Sequence, residues 1–272
     1  MSDFLSNPFM QSSVVPFLIA IVIGLVTSRW APTWTGLSVM IAFLASAYLI
    51  AGFQLSPLTS TRKILLIGVF SLAVGIVLDR VPPGKRIINI LLVVFSAITV
   101  LWIMWPLLAR AQGQVIWWQA LAAIAYTAWC LLWFHRDSKR SIPLVSGILV
   151  LAAGSGIAAT VAATALLGQL VSTIAAACGA LWLLLLLREF RPGMQLSLPA
   201  VILSSLFGIA AVFYARLPWS SLAWLALVPV LSSLPAMGKI RLQQAVYYIL
   251  LSLLPAIVAV YLAWKTAGDI PF

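Results

Sequence analysis

The chain has 272 residues, 64% of them hydrophobic and only 8% charged, with a formal net charge of +11. Soluble domains sit near 45–50% apolar and about 25% charged, so a water-soluble fold is excluded. With no soluble domain to carry a nucleic-acid surface, the basic excess reads as loop charge that meets anionic lipid headgroups.

Hydropathy places ten helices, at approximately 13–27, 35–52, 64–78, 87–108, 115–134, 142–166, 170–187, 196–215, 220–237 and 245–264. The expected fold class is an all-α polytopic transmembrane helix bundle of about ten spans with no soluble domain. Residues 1–272 would form a single integral membrane domain, divisible into five-helix halves at 1–140 and 141–272.

The opening Met1–Ser13 carries Asp3 and no Lys or Arg, so 13–27 reads as a retained span rather than a signal peptide. The third segment, 64–78, is a short candidate, with only 15 largely apolar residues where about 20 are usual. It would recruit Thr61 and let Arg62 and Lys63 snorkel outward; if it failed to cross, everything downstream would invert. Cys130 and Cys178 lie in later apolar segments and read as small buried residues, not as a disulfide or metal pair.

From Ile142 to Leu187 the chain runs 46 residues without an Asp, Glu, Lys, Arg or His. As one helix that would be about 69 Å, twice a bilayer core, so two helices with a turn at Gly168-Gln169 are expected. Small residues recur here at four-residue spacing. Gly154, Gly156, Ala158 and Ala162, continued by Ala175 and Gly179, are the candidate helix-packing core, because helices in lipid associate through close backbone approach. The hairpin therefore reads as the centre of the bundle, with its bulky last turn, Leu181–Leu187, facing lipid or a partner. Ser155, Thr160, Thr164, Gln169, Ser172 and Thr173 form a candidate polar patch along it, with hydroxyls that either bond their own helix or meet a substrate. Further on, Pro229 and Pro255 are the most interior prolines, and a mid-helix proline frees a carbonyl that transporters use to hold ions or substrates.

Orientation follows from Lys and Arg. With both termini on the outer face, the inner loops hold eleven of the sixteen basic residues. Arg80, Lys85, Arg86, Arg136, Lys139, Arg140, Arg188 and Arg191 make up the cytoplasmic basic face, with Arg29, Lys239 and Arg241. Arg62, Lys63, Arg110, Arg216 and Lys265 fall on the outer side. Tryptophans at the predicted helix ends, such as Trp102, Trp105, Trp117, Trp118 and Trp264 outside and Trp30, Trp34 and Trp133 inside, read as an interfacial anchor belt.

The missing chemistry narrows the function. No Asp, Glu, Lys or Arg falls in the middle third of any predicted span, which argues against a proton pump or carboxylate-coupled transport. His135 is the single histidine, too few for a haem or zinc site, and it reads with Asp137 as part of a solvated loop. Asp79, Asp137 and Glu189 each stand near an arginine, so no catalytic carboxylate cluster, metal site or cofactor is expected. Two functions remain. The first is a non-catalytic integral membrane subunit, a scaffold, anchor or accessory component of a larger complex in a bacterial cytoplasmic membrane. The second is a transporter or channel for a neutral or amphiphilic solute. The expected partners are the bilayer, its anionic headgroups at the inner face, and other membrane chains, not nucleic acid.

Overall fold

A computed structural model of the protein describes residues 7–52, 58–81, 84–110, 114–162, 165–235 and 240–268. The chain is an all-α bundle. A π-helical turn, Met10–Val14, leads into α1 (Val15–Trp30) and a 3-10 turn (Pro32–Trp34) into α2 (Leu37–Ala51). There follow α3 (Ser60–Arg80), α4 (Lys85–Leu108), α5 (Val115–Arg136), α6 (Ser141–Val161), α7 (Ala165–Leu187) and α8 (Gly193–Ala215). Two short helices, α9 (Trp219–Leu225) and α10 (Val228–Ser232), precede α11 (Arg241–Gly268). Among the described residues, eight helices are long and apolar enough to cross a membrane, which makes this a polytopic integral membrane protein. Leu37–Ala51 and Trp219–Ser232 are shorter apolar helical segments.

The short third segment is a full helix. Thr59 caps it by accepting the Arg62 N–H at 3.5 Å, and its 21 residues give about 31 Å of rise. Lys63 does not snorkel outward as expected. It is buried, and its Nζ donates to the Trp102 carbonyl at 3.2 Å. Pro106 explains this. It lies inside α4 and has no N–H, so the carbonyl four residues back at Trp102 loses its helical partner.

Two expectations about the uncharged stretch are corrected. Gly168-Gln169 is not the turn: α6 ends at Val161 and α7 begins at Ala165, leaving both residues inside α7. A glycine is tolerated there because α6 passes too close for a side chain. Nor is the hairpin alone the centre. Every residue from Met194 to Ala211 in α8 is buried, with α6 next most enclosed. A helix covered on all sides shows no polar face, and Ser204 turns to its own backbone, donating to Ala200 O at 2.8 Å. Around α8 pack α3, α5 and α6, while α7 sits between α6 and the α1–α2 pair, and α11 lies along α6. The Leu181–Leu187 turn is split. Leu181, Leu184 and Leu185 are buried, the first two against Gly24 of α1, while Leu183 and Leu187 are exposed.

The prolines differ in role. Pro106, Pro199 and Pro255 are inside helices, whereas Pro229 occupies the first turn of α10, where its missing N–H costs nothing. The predicted ninth helix, 220–237, is therefore two helices that meet at Ala226-Leu227.

Candidate functional site: a basic interfacial cleft

The connections gather Arg80, Lys139, Arg140, Arg188, Arg191 and Arg241 at one end of the bundle. Trp34, before α2, lies under the Arg80 guanidinium at 4.7 Å, bringing the end of α3 beside it. The Asp79 carboxylate accepts the backbone N–H groups of Met194 and Gln195, at 2.8 and 3.0 Å, and so closes the N-terminus of α8. Ser141 Oγ, opening α6, donates to Phe190 O at 2.8 Å and fixes the α7–α8 connection. At the opposite end, Ser60 and Tyr214 hydroxyls lie 3.0 Å apart, joining the start of α3 to the end of α8.

Between these anchors lie two adjoining cavities, of about 670 and 380 Å3, which share Thr33 and Arg191. The larger is lined by four arginines, Arg140, Arg188, Arg191 and Arg241, against one carboxylate, Glu189. Its walls also include Pro32, Ile142, Pro143 and Leu185. Arg80, Lys139 and Arg191 line the smaller one, with Asp79. The cleft is thus cationic with an apolar side.

The arginines are engaged unequally. Arg140 donates to Ser233 O at 3.0 Å and to the Tyr248 hydroxyl, and lies 3.6 Å from Asp137. Its guanidinium holds the end of α10 against α11. Arg241, from the start of α11, pairs with Glu189. Arg188 and Arg191 are exposed and make no side-chain ion pair or hydrogen bond among the described residues. They flank Phe190, which is buried. Of the other basic-face residues, Arg136 lies over Trp133 at 5.4 Å, while Lys85 and Arg86 are exposed at the start of α4. Lys239 lies outside the described residues.

The His135–Asp137 loop is not solvated as expected. Asp137 is 5% exposed with its Oδ2 buried and without a hydrogen-bond partner among the described residues, and His135 Nδ1 sits 3.2 Å from Met194 Sδ. Burial pushes the Asp137 carboxyl above its ordinary value, opposed by Arg140 and Arg136. A raised carboxylate pKa means the folded state holds the proton more tightly. Stability from this group therefore falls as pH rises from about 3.8 through the raised folded value, and stays lower above it. Wild type should lose thermal stability as pH rises from about 3.8 while Asp137→Asn does not, as a melting series in detergent that starts below that pH and runs upward reads directly.

The predicted packing residues take different partners. A Cβ at Gly154 would meet Leu225 Cδ2 at 2.9 Å and Ala256 Cβ at 3.0 Å, so this face of α6 receives α9 and α11 rather than α7. Gly156 faces α7, 2.9 Å from Ser172 Oγ by the same construction. Ala158, Ala162 and Ala175 are buried, whereas a Cβ at Gly179 would touch only Leu149 Cδ1 at 3.9 Å. The polar-patch residues do not converge. Thr160 donates to Gly156 O at 2.9 Å and Thr173 to Leu170 O at 2.7 Å, each within its own helix. Ser155 is buried with no hydrogen-bond partner among the described residues, Gln169 and Ser172 are half-buried, and Thr164 lies outside the described residues. None of these described residues lines either cavity.

Sequence reasoning found Arg140, Arg188 and Arg191 but missed Tyr248 and Thr33. Their only sequence signal is position, near the inner ends of predicted helices. No protein-family model matches the chain, and no curated protein matches it.

Proposed function

We propose that the protein is a non-catalytic integral membrane subunit, an accessory or scaffolding component packed beside other membrane chains, with its basic end toward the cytoplasm of a bacterial cell. The supporting observation is the fate of two carbonyls, one released by a proline and one at a helix break. A transport path built on broken helices leaves such carbonyls facing a cavity, where they coordinate cargo. Here Trp102 O is taken by Lys63 Nζ, and Ala226 O, at the break between α9 and α10, accepts Trp129 Nε1 at 2.9 Å. The protein's own donors close both. The cleft carboxylates are likewise occupied, Asp79 by backbone N–H groups and Glu189 by Arg241.

The outer surface fits a chain that packs among others. α4 touches α3 and α5 and exposes Ile87, Ile90, Val94, Ile98 and Trp105 along its length. The test is the mass and composition of the particle extracted from its native membrane in mild detergent. Co-purification with other membrane proteins at fixed stoichiometry is expected. Migration alone, or as a simple homodimer, overturns the subunit reading and makes proteoliposome flux of neutral solutes the next measurement.

A further inference from the structure

We infer that the larger cavity binds the headgroup of one anionic phospholipid, with Arg188 and Arg191 holding its phosphate. The inference does not depend on the subunit reading. Three observations carry it. Of the four arginines lining the cavity, Arg140 is spent on Ser233 O, Tyr248 and Asp137, and Arg241 on Glu189. That leaves Arg188 and Arg191, both exposed and without a partner among the described residues, as the charges available to a ligand. The segment that bears them is fixed rather than loose. Buried Phe190 stands between them, its carbonyl held by Ser141, and α8 begins two residues after Arg191 under the Asp79 clamp. Two guanidinium forks on a pinned segment suit the several acceptor oxygens of a phosphate.

The remaining walls choose the source of that phosphate. The cavity lies at the ends of α6, α7 and α11, the depth of the headgroup layer when these helices cross a bilayer. Pro32, Ile142, Pro143 and Leu185 give it an apolar side, of no use to a free inorganic anion but suited to the glycerol and first acyl carbons of a lipid. Its volume of about 670 Å3 falls in the ~300–1,000 Å3 range of small-molecule sites. Basic pockets between membrane helices on the cytoplasmic side hold anionic headgroups by this logic.

The experiment uses the full chain, delipidated in mild detergent and titrated in native mass spectrometry with dioleoylphosphatidylglycerol, dioleoylphosphatidylcholine or inorganic phosphate. One phosphatidylglycerol should be retained well above phosphatidylcholine. Arg188→Gln with Arg191→Gln should weaken that retention about 10- to 30-fold, since each surface cation contributes ~1 kcal/mol toward an anionic headgroup. Arg110→Gln, at the opposite end, should leave it unchanged. Melting of each variant in the same detergent separates binding from folding, because neither exposed arginine holds the fold together. Equal retention of the two lipids, or no effect of the double substitution, overturns the site. Inorganic phosphate that competes at equal concentration while phosphatidylglycerol shows no preference assigns the arginines to a free anion and overturns the lipid.

Discussion

Replacing Gly168 with valine should prevent α6 and α7 from closing and give protein that aggregates on extraction instead of running as a monodisperse particle. A Cβ at this position would collide with Thr160 Oγ1 and lie 2.8 Å from the Gly156 carbonyl oxygen. Rotation of Thr160 relieves the first contact at the expense of its hydrogen bond to Gly156 O. It does nothing for the second, which is backbone. The helices must separate, and in lipid little brings them back, because their association rests on close packing and not on hydrophobic drive. Gly168→Ala should cost about 1–3 kcal/mol, the usual range for overpacking, and valine more. Gly179 supplies the control on the same helix. Its added Cβ would touch only Leu149 Cδ1, at 3.9 Å, so Gly179→Ala should be neutral or stabilise by about 0.5–1 kcal/mol through helix propensity. Thermal melts in detergent rank the pair, and equal destabilisation by both alanines would sink the close-contact account.

These two glycines also mark the limit of what the residues disclose. The sequence reads Gly179 as core and Gly168 as a turn, whereas Gly168 is the glycine in close contact and Gly179 has room for a side chain. Spacing gives which residues share a face, while the neighbour that the face meets is decided by the other helices. Burial was hidden for a related reason. In water an enclosed helix stands out by lacking a polar side, whereas in a bilayer the lipid-facing side is apolar as well. Mean hydropathy therefore does not set Met194–Ala211 apart from α4, yet the first is wholly buried and half of the second is exposed. Segment existence was legible because length and hydropathy depend on the bilayer alone, and each of the ten predicted segments has a helical counterpart. The basic cleft was half legible: the arginines showed in the loops, but their division into engaged and free members depends on Tyr248, Ser233 and Glu189, which are brought in from other elements.

Asp79→Ala should lower stability by about 1–3 kcal/mol, the largest effect expected of any single charge at the basic end. The carboxylate accepts two backbone N–H groups at the start of α8, where the helix dipole adds to the attraction, and it joins the end of α3 to the most buried helix of the bundle. Asparagine keeps one acceptor oxygen and turns an NH2 group toward the second N–H, so Asp79→Asn should fall between wild type and alanine. Gly193 completes the clamp. Its φ of +64° disfavours a side chain, and an added Cβ would sit 2.5 Å from Asp79 Oδ2. Gly193→Ala therefore carries both a backbone cost and a clash, and only the clash depends on Asp79. In the double variant the clash is gone, so the combined loss should be smaller than the two single losses added together. Strict additivity would mean that the carboxylate and the glycine do not act as one unit. Because Arg191 lies two residues before Gly193, Asp79→Ala should also weaken phosphatidylglycerol retention without removing any charge from the larger cavity's lining. A clamp that steadies α8 but not the arginine would leave lipid retention intact, which separates the two roles.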